Sequence, residues 1–257
     1  MHEETGFEVI LGRRLGIVEY PAPAPVGWNK RVDYFSAEAG RGEFAANHEV
    51  DEMRWLGVAE ASELVTRPSD RDILSAFAAL PPILHSVLLV RHAKAGNKSA
   101  WTDDDAFRPL SASGRRQAAA LRSMLPLFGV DRIISAPRVR CTQTVEGVGE
   151  DLGIGIATEH VLSEDGYRQN GEAALSCLLE IAGKPGSSVV CSQGGVIPDL
   201  VRRLSAGDGL PIGDVTSKKG SVWALFFQQT AERPRLVAAD YFPSALGAPP
   251  PPGKTGG

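Results

Sequence analysis

The sequence predicts an α/β domain, a mostly parallel sheet with helices on both faces, preceded by a partial α+β block. Three observations carry this reading. From Val87 onward, short apolar runs alternate with segments of helical periodicity, which is the pattern of βαβ units. The tandem prolines Pro81 and Pro82 end one helical stretch and separate it from the next apolar run. Three of the later segments stop at abruptly polar turns that lead into helices, as strand ends do in such sheets.

The elements follow in chain order. Extended segments are expected at Arg14 to Tyr20, Lys30 to Glu38 and Met53 to Leu56, then a helix from about Asp70 to Ala79. Residues 81–86 form a linker. Beyond it, the strands are Val87 to Val90, Arg132 to Ser135, Ser188 to Cys191, Ser221 to Phe227 and Arg235 to Tyr241. The helices run from about Ser113 to Leu127, Thr142 to Leu152, Glu172 to Ala182 and Ile197 to Leu204. The proline- and glycine-rich residues 243–257 cannot bury enough apolar surface to offset their ordering entropy and are expected to be a disordered tail. The organisation is therefore 1–80, the linker, 87–242 and the tail.

Composition sets the outer bounds. The chain has 257 residues, 43% apolar and 23% charged, which is ordinary globular usage and excludes a coiled-coil rod or wholesale disorder. Twenty-seven Lys and Arg against 31 Asp and Glu leave a net charge of -4, so there is no electrostatic footprint for a nucleic acid polymer or an anionic membrane. Any anionic substrate needs a local basic pocket. The three cysteines, Cys141, Cys177 and Cys191, contain no C-x-x-C pair, and no signal-peptide pattern or 18-residue apolar run occurs. A reducing, cytoplasmic setting is expected, with no membrane partner.

The chemistry sits at three strand ends. The first apolar run delivers Arg91-His92-Ala93-Lys94-Ala95-Gly96, with cations on both sides of an imidazole and a glycine that permits close backbone approach. The second delivers Ser135-Ala136-Pro137-Arg138-Val139-Arg140-Cys141-Thr142-Gln143-Thr144, with arginines at a strand-to-helix junction where the helix dipole adds positive character. The third delivers Ser192-Gln193-Gly194. A histidine flanked by arginines supplies both an in-line nucleophile and cations for the equatorial oxygens of a phosphoryl group.

In these residues the chain resembles the histidine phosphatases, over roughly residues 86 to 242. Arg91-His92-Ala93 stands where the family carries Arg-His-Gly, and Ser135 to Thr144 resembles its Ser-x-x-x-Arg-Ala-x-Gln-Thr motif. Arg108-Pro109-Leu110, Gly114 and Gln117-Ala118 look like a stretch of the short, SixA-like branch. The resemblance implies that His92 is phosphorylated during turnover, that Arg91 and Arg140 clamp the phosphoryl group, and that Glu164 protonates the leaving oxygen, with Asp165 its neighbouring competitor. Gln193 and Gly194 are the implied oxygen ligands at the third strand end. There the family usually has Ser-His-Gly, and an amide can donate a hydrogen bond but carries no charge. Lys94 is either a further phosphate ligand or a solvated cation. No cofactor is implied for this domain.

Upstream, Glu3-Glu4-Thr5-Gly6-Phe7 resembles the end of the Nudix box, and Gly12 to Tyr20, Lys30 to Ala37 and Glu49 to Leu56 look like the later strands of a MutT-type Nudix domain. A Nudix half followed by a histidine phosphatase half is the arrangement of actinobacterial MutT-type proteins, which act on oxidised guanine nucleotides. The resemblance implies Mg2+ at Glu3 and Glu4, since oxygen ligands suit a hard cation. The plain alternative is a solvated first helical turn that favours acids. The upstream ligand and glycine loop of the box are absent, which predicts a poor metal site and either a reading frame that extends further upstream or a vestigial half.

The expected function is thus a phosphohydrolase of small phosphorylated molecules, nucleotides foremost, through a phosphohistidine. A Mg2+-dependent Nudix hydrolase and a non-catalytic phosphate-binding module are the alternatives.

Overall fold

The computed structural model describes residues 2–21 and 29–246, with the side chains of His2, Glu3 and Pro21 excepted. It divides into two compact units, Met1–Leu84 and His85–Gly257. Residues 247–257, on which most of the tail expectation falls, lie outside the described residues.

The first unit opens with a single helical turn, α1 (His2–Thr5), followed by β1 (Phe7–Pro21) and β2 (Asn29–Gly42). The two strands pair antiparallel, with Leu11 opposite Ala37 and Val18 opposite Val32, and the register shifts around Arg14. Both strands are longer than the alternation of apolar residues suggested. Helices α2 (Val58–Leu64) and α3 (Pro68–Ala78) follow, the second starting on a proline, whose missing N–H costs nothing in the first turn. Arg13 donates from Nη2 to the carbonyls of Ala76 (2.6 Å) and Phe77 (3.1 Å), placing a cation on the carbonyl end of α3.

Met53 to Leu56, expected to be extended strand, is not one. No strand pairs with it among the described residues. Its Trp55 ring lies edge-on to Phe7 at 5.8 Å and is otherwise largely exposed.

The second unit is a six-stranded sheet in the order β5-β4-β6-β3-β7-β8. In chain order its elements are β3 (His85–Arg91), α4 (Ala112–Met124), β4 (Val130–Ser135), α5 (Val139–Leu152), β5 (Ile156–Thr158), α6 (Glu164–Gln169), α7 (Gly171–Gly183), β6 (Ser187–Ser192), α8 (Ile197–Asp208), β7 (Val222–Gln228) and β8 (Arg235–Phe242). Strands β3 to β6 run parallel, β7 runs antiparallel to β3, and β8 antiparallel to β7. The short β5 and α6 were not expected, since three residues and six residues are too few to establish a period.

Strand β3 is buried along Ser86 to Val90 because both sheet faces are covered. Its alternate residues divide between them. Val87 and Leu89 join the cluster built on Leu178, Ile181, Leu200, Val201 and Leu204 of α7 and α8. Leu88 and Val90 lie on the face where Leu121, Cys141, Val145 and Val148 of α4 and α5 are also buried. This double cover buries the middle of β3 and leaves the residues that follow the carboxyl ends of β3, β4 and β6 beside one another at one edge of the sheet.

The two units differ in how they are held. Every buried apolar side chain among the described residues lies in the second unit, and in the first Arg13 is the only buried residue. Since apolar burial is the main term opposing chain entropy, we expect a fragment of residues 85–246 to unfold cooperatively on heating and a fragment of residues 1–84 to show no cooperative transition. Thermal circular dichroism of the two fragments checks this, and a sharp transition in 1–84 would refute it.

Candidate functional site

The site grows from the carboxyl end of β3. The N–H of His92 donates to the carbonyl of Ser192 at the end of β6 (3.0 Å), and the next N–H, of Ala93, donates to Thr144 Oγ1 (2.9 Å) on α5. Thr144 Oγ1 in turn donates to the Arg140 carbonyl (2.6 Å). One buried hydroxyl therefore ties the histidine loop to the helix that carries the second arginine.

His92 is 3% exposed. Its Nδ1 lies 2.8 Å from the Ala93 carbonyl, which can only accept, so Nδ1 carries the proton and Nε2 the lone pair. Nε2 lies 2.8 Å from Nζ of Lys219. Burial pushes the imidazole pKa down to about 3, reinforced by Lys219, Arg140 and Arg91 against the Ala93 hydrogen bond. At neutral pH the ring is uncharged, with one defined tautomer.

Two guanidinium groups flank it. Arg91 donates from Nη1 to the Ser217 carbonyl and lies against the backbone of Gly194, where a Cβ would come within 2.5 Å of Arg91 Cζ. Any side chain at position 194 would displace the arginine. Arg140 donates from Nη1 to the Asp105 carbonyl (2.6 Å), and its Nη2 pairs with Asp105 Oδ2 at 3.0 Å. The other Asp105 oxygen accepts from Arg108 Nε at 2.8 Å. The Arg108 hydrogen bond, with the charges of Arg140 and Arg108, holds the Asp105 carboxyl below its usual range despite the cost of burial. The Nε atoms of both Arg91 and Arg140 are buried without a hydrogen-bond partner.

Glu164 opens α6, whose cap is the Ser163 hydroxyl. Its Oε1 accepts from the Gly195 N–H (2.9 Å), its Oε2 from Gln193 Nε2 (3.3 Å), and its own N–H donates to Gln193 Oε1 (3.0 Å). Asp165 faces elsewhere, paired with Arg138 and Arg168. Of the two acids, Glu164 is thus the one joined to the third strand end, and its charge acts on both Arg91 and Lys219.

The structure therefore gathers His92, Arg91, Arg140, Glu164, Gln193 and Gly194 around one point. Gln193 is 2% exposed and uses its amide to fix Glu164, which leaves one N–H of Nε2 for a phosphoryl oxygen. Lys94 stands apart, its side chain exposed. Its backbone matters more: the carbonyl accepts from Ser111 N and Oγ, both at 2.9 Å, and a Cβ at Gly114 would sit 1.9 Å from that oxygen. Glu4 is exposed, and the side chain of Glu3 lies outside the described residues. Among the described residues no group of three His, Cys, Asp or Glu side chains could hold a metal ion, and the Glu3 side chain on which the implied magnesium site depends lies outside them.

Lys219 and Asp105 were missed in sequence. Asp105 sits in an acidic run of which Asp103 and Asp104 are exposed. Lys219 precedes a strand, whereas the polar turns legible in the sequence follow one. Because β7 runs antiparallel to β3, its amino end lies at the same sheet edge as the carboxyl end of β3, with Val222 opposite Val90. The Arg91 N–H donates to the Ser221 carbonyl (3.0 Å) and the Gly220 N–H to the Arg91 carbonyl (3.1 Å), which seats the Lys219 loop beside His92. Gln117 of α4 clamps both loops, accepting from Lys94 N (2.9 Å) and donating to the Lys219 carbonyl (3.0 Å).

Two outcomes follow from this geometry. A histidine pKa of about 3 in the fold, against about 6.5 unfolded, means the unfolded chain binds more protons between those values. The neutral ring's contribution is complete above pH 6.5 and is lost as the pH falls toward 3, on the order of a few kcal/mol in total. Melting temperatures measured from pH 7.5 down to 4.5 should fall more steeply for the wild type than for His92→Gln, and parallel curves would contradict a buried neutral ring. Separately, Gln193→Leu removes both contacts to Glu164, and kcat for a phosphomonoester is expected to drop roughly tenfold or more, part of the 10²–10⁴ that general acid catalysis contributes. An unchanged kcat would mean that Glu164 does not need this partner.

Comparison with known proteins agrees with the geometry. Residues 87–172 match the histidine phosphatase superfamily (branch 1). An 8-oxo-(d)GTP phosphatase of Mycolicibacterium smegmatis is 42% identical over 241 residues, covering 94% of this chain and 73% of the relative. Among solved structures, the protein histidine phosphatase SixA complexed with tungstate is 20% identical with a TM-score of 0.46, over 63% of this chain and 97% of that one. A mycobacterial glucosyl-3-phosphoglycerate phosphatase is 17% identical with a TM-score of 0.46, over 63% and 99%. No helix among the described residues is long and apolar enough to cross a membrane. With its sheet, its histidine and its flanking arginines, this chain is a hydrolase that belongs to the histidine phosphatase superfamily.

Proposed function

We propose that the second unit removes a terminal phosphate from a small phosphorylated molecule, a nucleotide foremost, through a phosphohistidine at His92. The observation that carries this reading is the tautomer of His92: the proton is held on Nδ1 by the Ala93 carbonyl, and the lone pair on Nε2 lies among Arg91, Arg140 and Lys219. The nucleotide preference is supported by the name of the M. smegmatis relative.

The steps balance with this chain's own groups. The Nε2 lone pair forms the P–N bond as the P–O bond to the leaving group breaks, and Glu164, having taken up a proton from solvent as the anionic substrate enters, gives it to the departing oxygen. The phosphorylated ring keeps its Nδ1 proton on the Ala93 carbonyl. Water then attacks phosphorus, Glu164 takes its proton, and the P–N bond breaks to return the neutral imidazole. Arg91 and Arg140 meet the equatorial oxygens with their guanidinium N–H groups. Gln193 fixes the acid and contributes its remaining N–H. Lys94, exposed at the edge, would touch only the more distant parts of a substrate.

We read the first unit as the later part of a Nudix domain, on the resemblance of its strands and on the relative's activity on (d)GTP derivatives. Because one of the two implied ligands, the Glu3 side chain, lies outside the described residues, no step is assigned to a magnesium ion.

The test is phosphate release from nucleoside diphosphates and triphosphates and from p-nitrophenyl phosphate, with excess chelator or excess magnesium, for the wild type and His92→Ala. We expect release that resists the chelator and disappears in the variant, together with an acid-labile phosphoenzyme in the wild type alone. Release that requires magnesium and ignores His92 would move the chemistry to the first unit. Release from neither would favour a module that binds phosphate without turning it over.

A further inference from the structure

From its contact with the reacting nitrogen, we infer that Lys219 is a catalytic residue that guards the His92 lone pair in the absence of substrate and passes to the phosphoryl oxygens when substrate arrives. The inference rests on the phosphohistidine reading above and adds to it a residue and a binding sequence.

The argument starts from valence. With Nδ1 committed to the Ala93 carbonyl, Nε2 can only accept, so the 2.8 Å contact to Lys219 Nζ is an ammonium donating to the very lone pair that must attack. Attack is impossible while that bond persists. An approaching phosphate supplies better acceptors, because a charge-assisted bond to an anionic oxygen is stronger than one to a neutral nitrogen. The ammonium has three donors on a flexible stem and can turn from Nε2 to such an oxygen without leaving the site. Its own backbone is held still, by Gln117 at its carbonyl and by the seating of Gly220 and Ser221 against Arg91.

The charge also has a job that nothing else at the third strand end performs. Gln193 is neutral and occupied with Glu164, so the cations nearest the reacting nitrogen are Arg91, Arg140 and Lys219. Lys219 is the one among them in contact with Nε2. The proton stays on Lys219 throughout, and the phosphoryl transfer keeps the balance already written.

The groups facing Lys219 are His92 and Arg91 from β3, Arg140 from α5, Arg108 from the preceding loop and Glu164 from α6. Burial and the charges of Arg91, Arg140 and Arg108 lower its pKa to about 8, with Glu164 opposing. The catalytic form is the protonated one, so activity is expected to fall as pH rises through that value. In kcat/KM, which reports the substrate-free enzyme, the alkaline limb should appear near pH 8. In kcat, which reports the bound complex, the phosphate dianion should move the limb to higher pH.

The experiment uses the full chain with p-nitrophenyl phosphate across pH 6 to 10, and inorganic phosphate as a competitive inhibitor. Lys219→Met is expected to lower kcat/KM at pH 7 by roughly 10²–10³-fold and to weaken phosphate inhibition at least about tenfold. Lys219→Arg, charged throughout the range, should restore much of the loss and abolish the limb near pH 8. A limb that stays at pH 8 in Lys219→Arg, or a Lys219→Met enzyme with wild-type kcat/KM and phosphate inhibition, overturns the assignment. Measured beside these, His92→Ala separates the two claims: if it is inactive while Lys219→Met is normal, only the lysine proposal fails, and if it turns over normally, the phosphohistidine reading fails first.

Discussion

The site depends on keeping one imidazole uncharged among cations. His92 is buried beneath Arg91, Arg140 and Lys219, and a second proton on that ring would place a fourth positive charge in the same small volume. The Ala93 carbonyl settles which nitrogen stays bare. Much of the surrounding architecture serves this arrangement: Ser192 and Thr144 hold the backbone on either side of His92, Asp105 braces Arg140 and Arg108, and Gly194 leaves room for Arg91. A parallel sheet covered on both faces is suited to it, because strand ends are rigid and their outgoing loops are adjustable.

The same reasoning explains what could be read from sequence. The buried strands β3 and β6 were legible because sheets covered on both faces leave near-continuous apolar runs, and the junctions after them were legible because polar residues interrupt those runs abruptly. His92, Arg91, Arg140, Gln193 and Gly194 all lie just beyond such runs. Glu164 has no run before it and rested on the family resemblance alone. Strand β5 and helix α6 are shorter than the windows in which periodicity can be recognised.

Lys219 shows a different limit. In a wholly parallel sheet the amino end of every strand is remote from the site, so a residue before a strand would be passed over. One antiparallel strand at β7 reverses that rule for one loop. Strand direction is a tertiary fact, and no local pattern in Lys218-Lys219-Gly220 encodes it. Met53 to Leu56 failed in the opposite sense, since its composition suits a strand but no strand among the described residues pairs with it.

The charges at the site also argue for the kind of ligand it takes. Arg91, Arg140 and Lys219, with Arg108 behind them, outnumber the carboxylates Asp105 and Glu164, and both oxygens of Asp105 are already engaged by arginines. Positive charges held together in a partly desolvated cleft repel one another, which is why burial and its neighbours lower the pKa of Lys219. A neutral ligand would leave that repulsion in place, and a carboxylate would offset it only in part. A phosphate group, mostly dianionic at pH 7 with its second pKa near about 6, brings two charges and several acceptor oxygens to donors already aimed at one point. The cations are therefore best understood as half of an interaction whose other half arrives with the substrate.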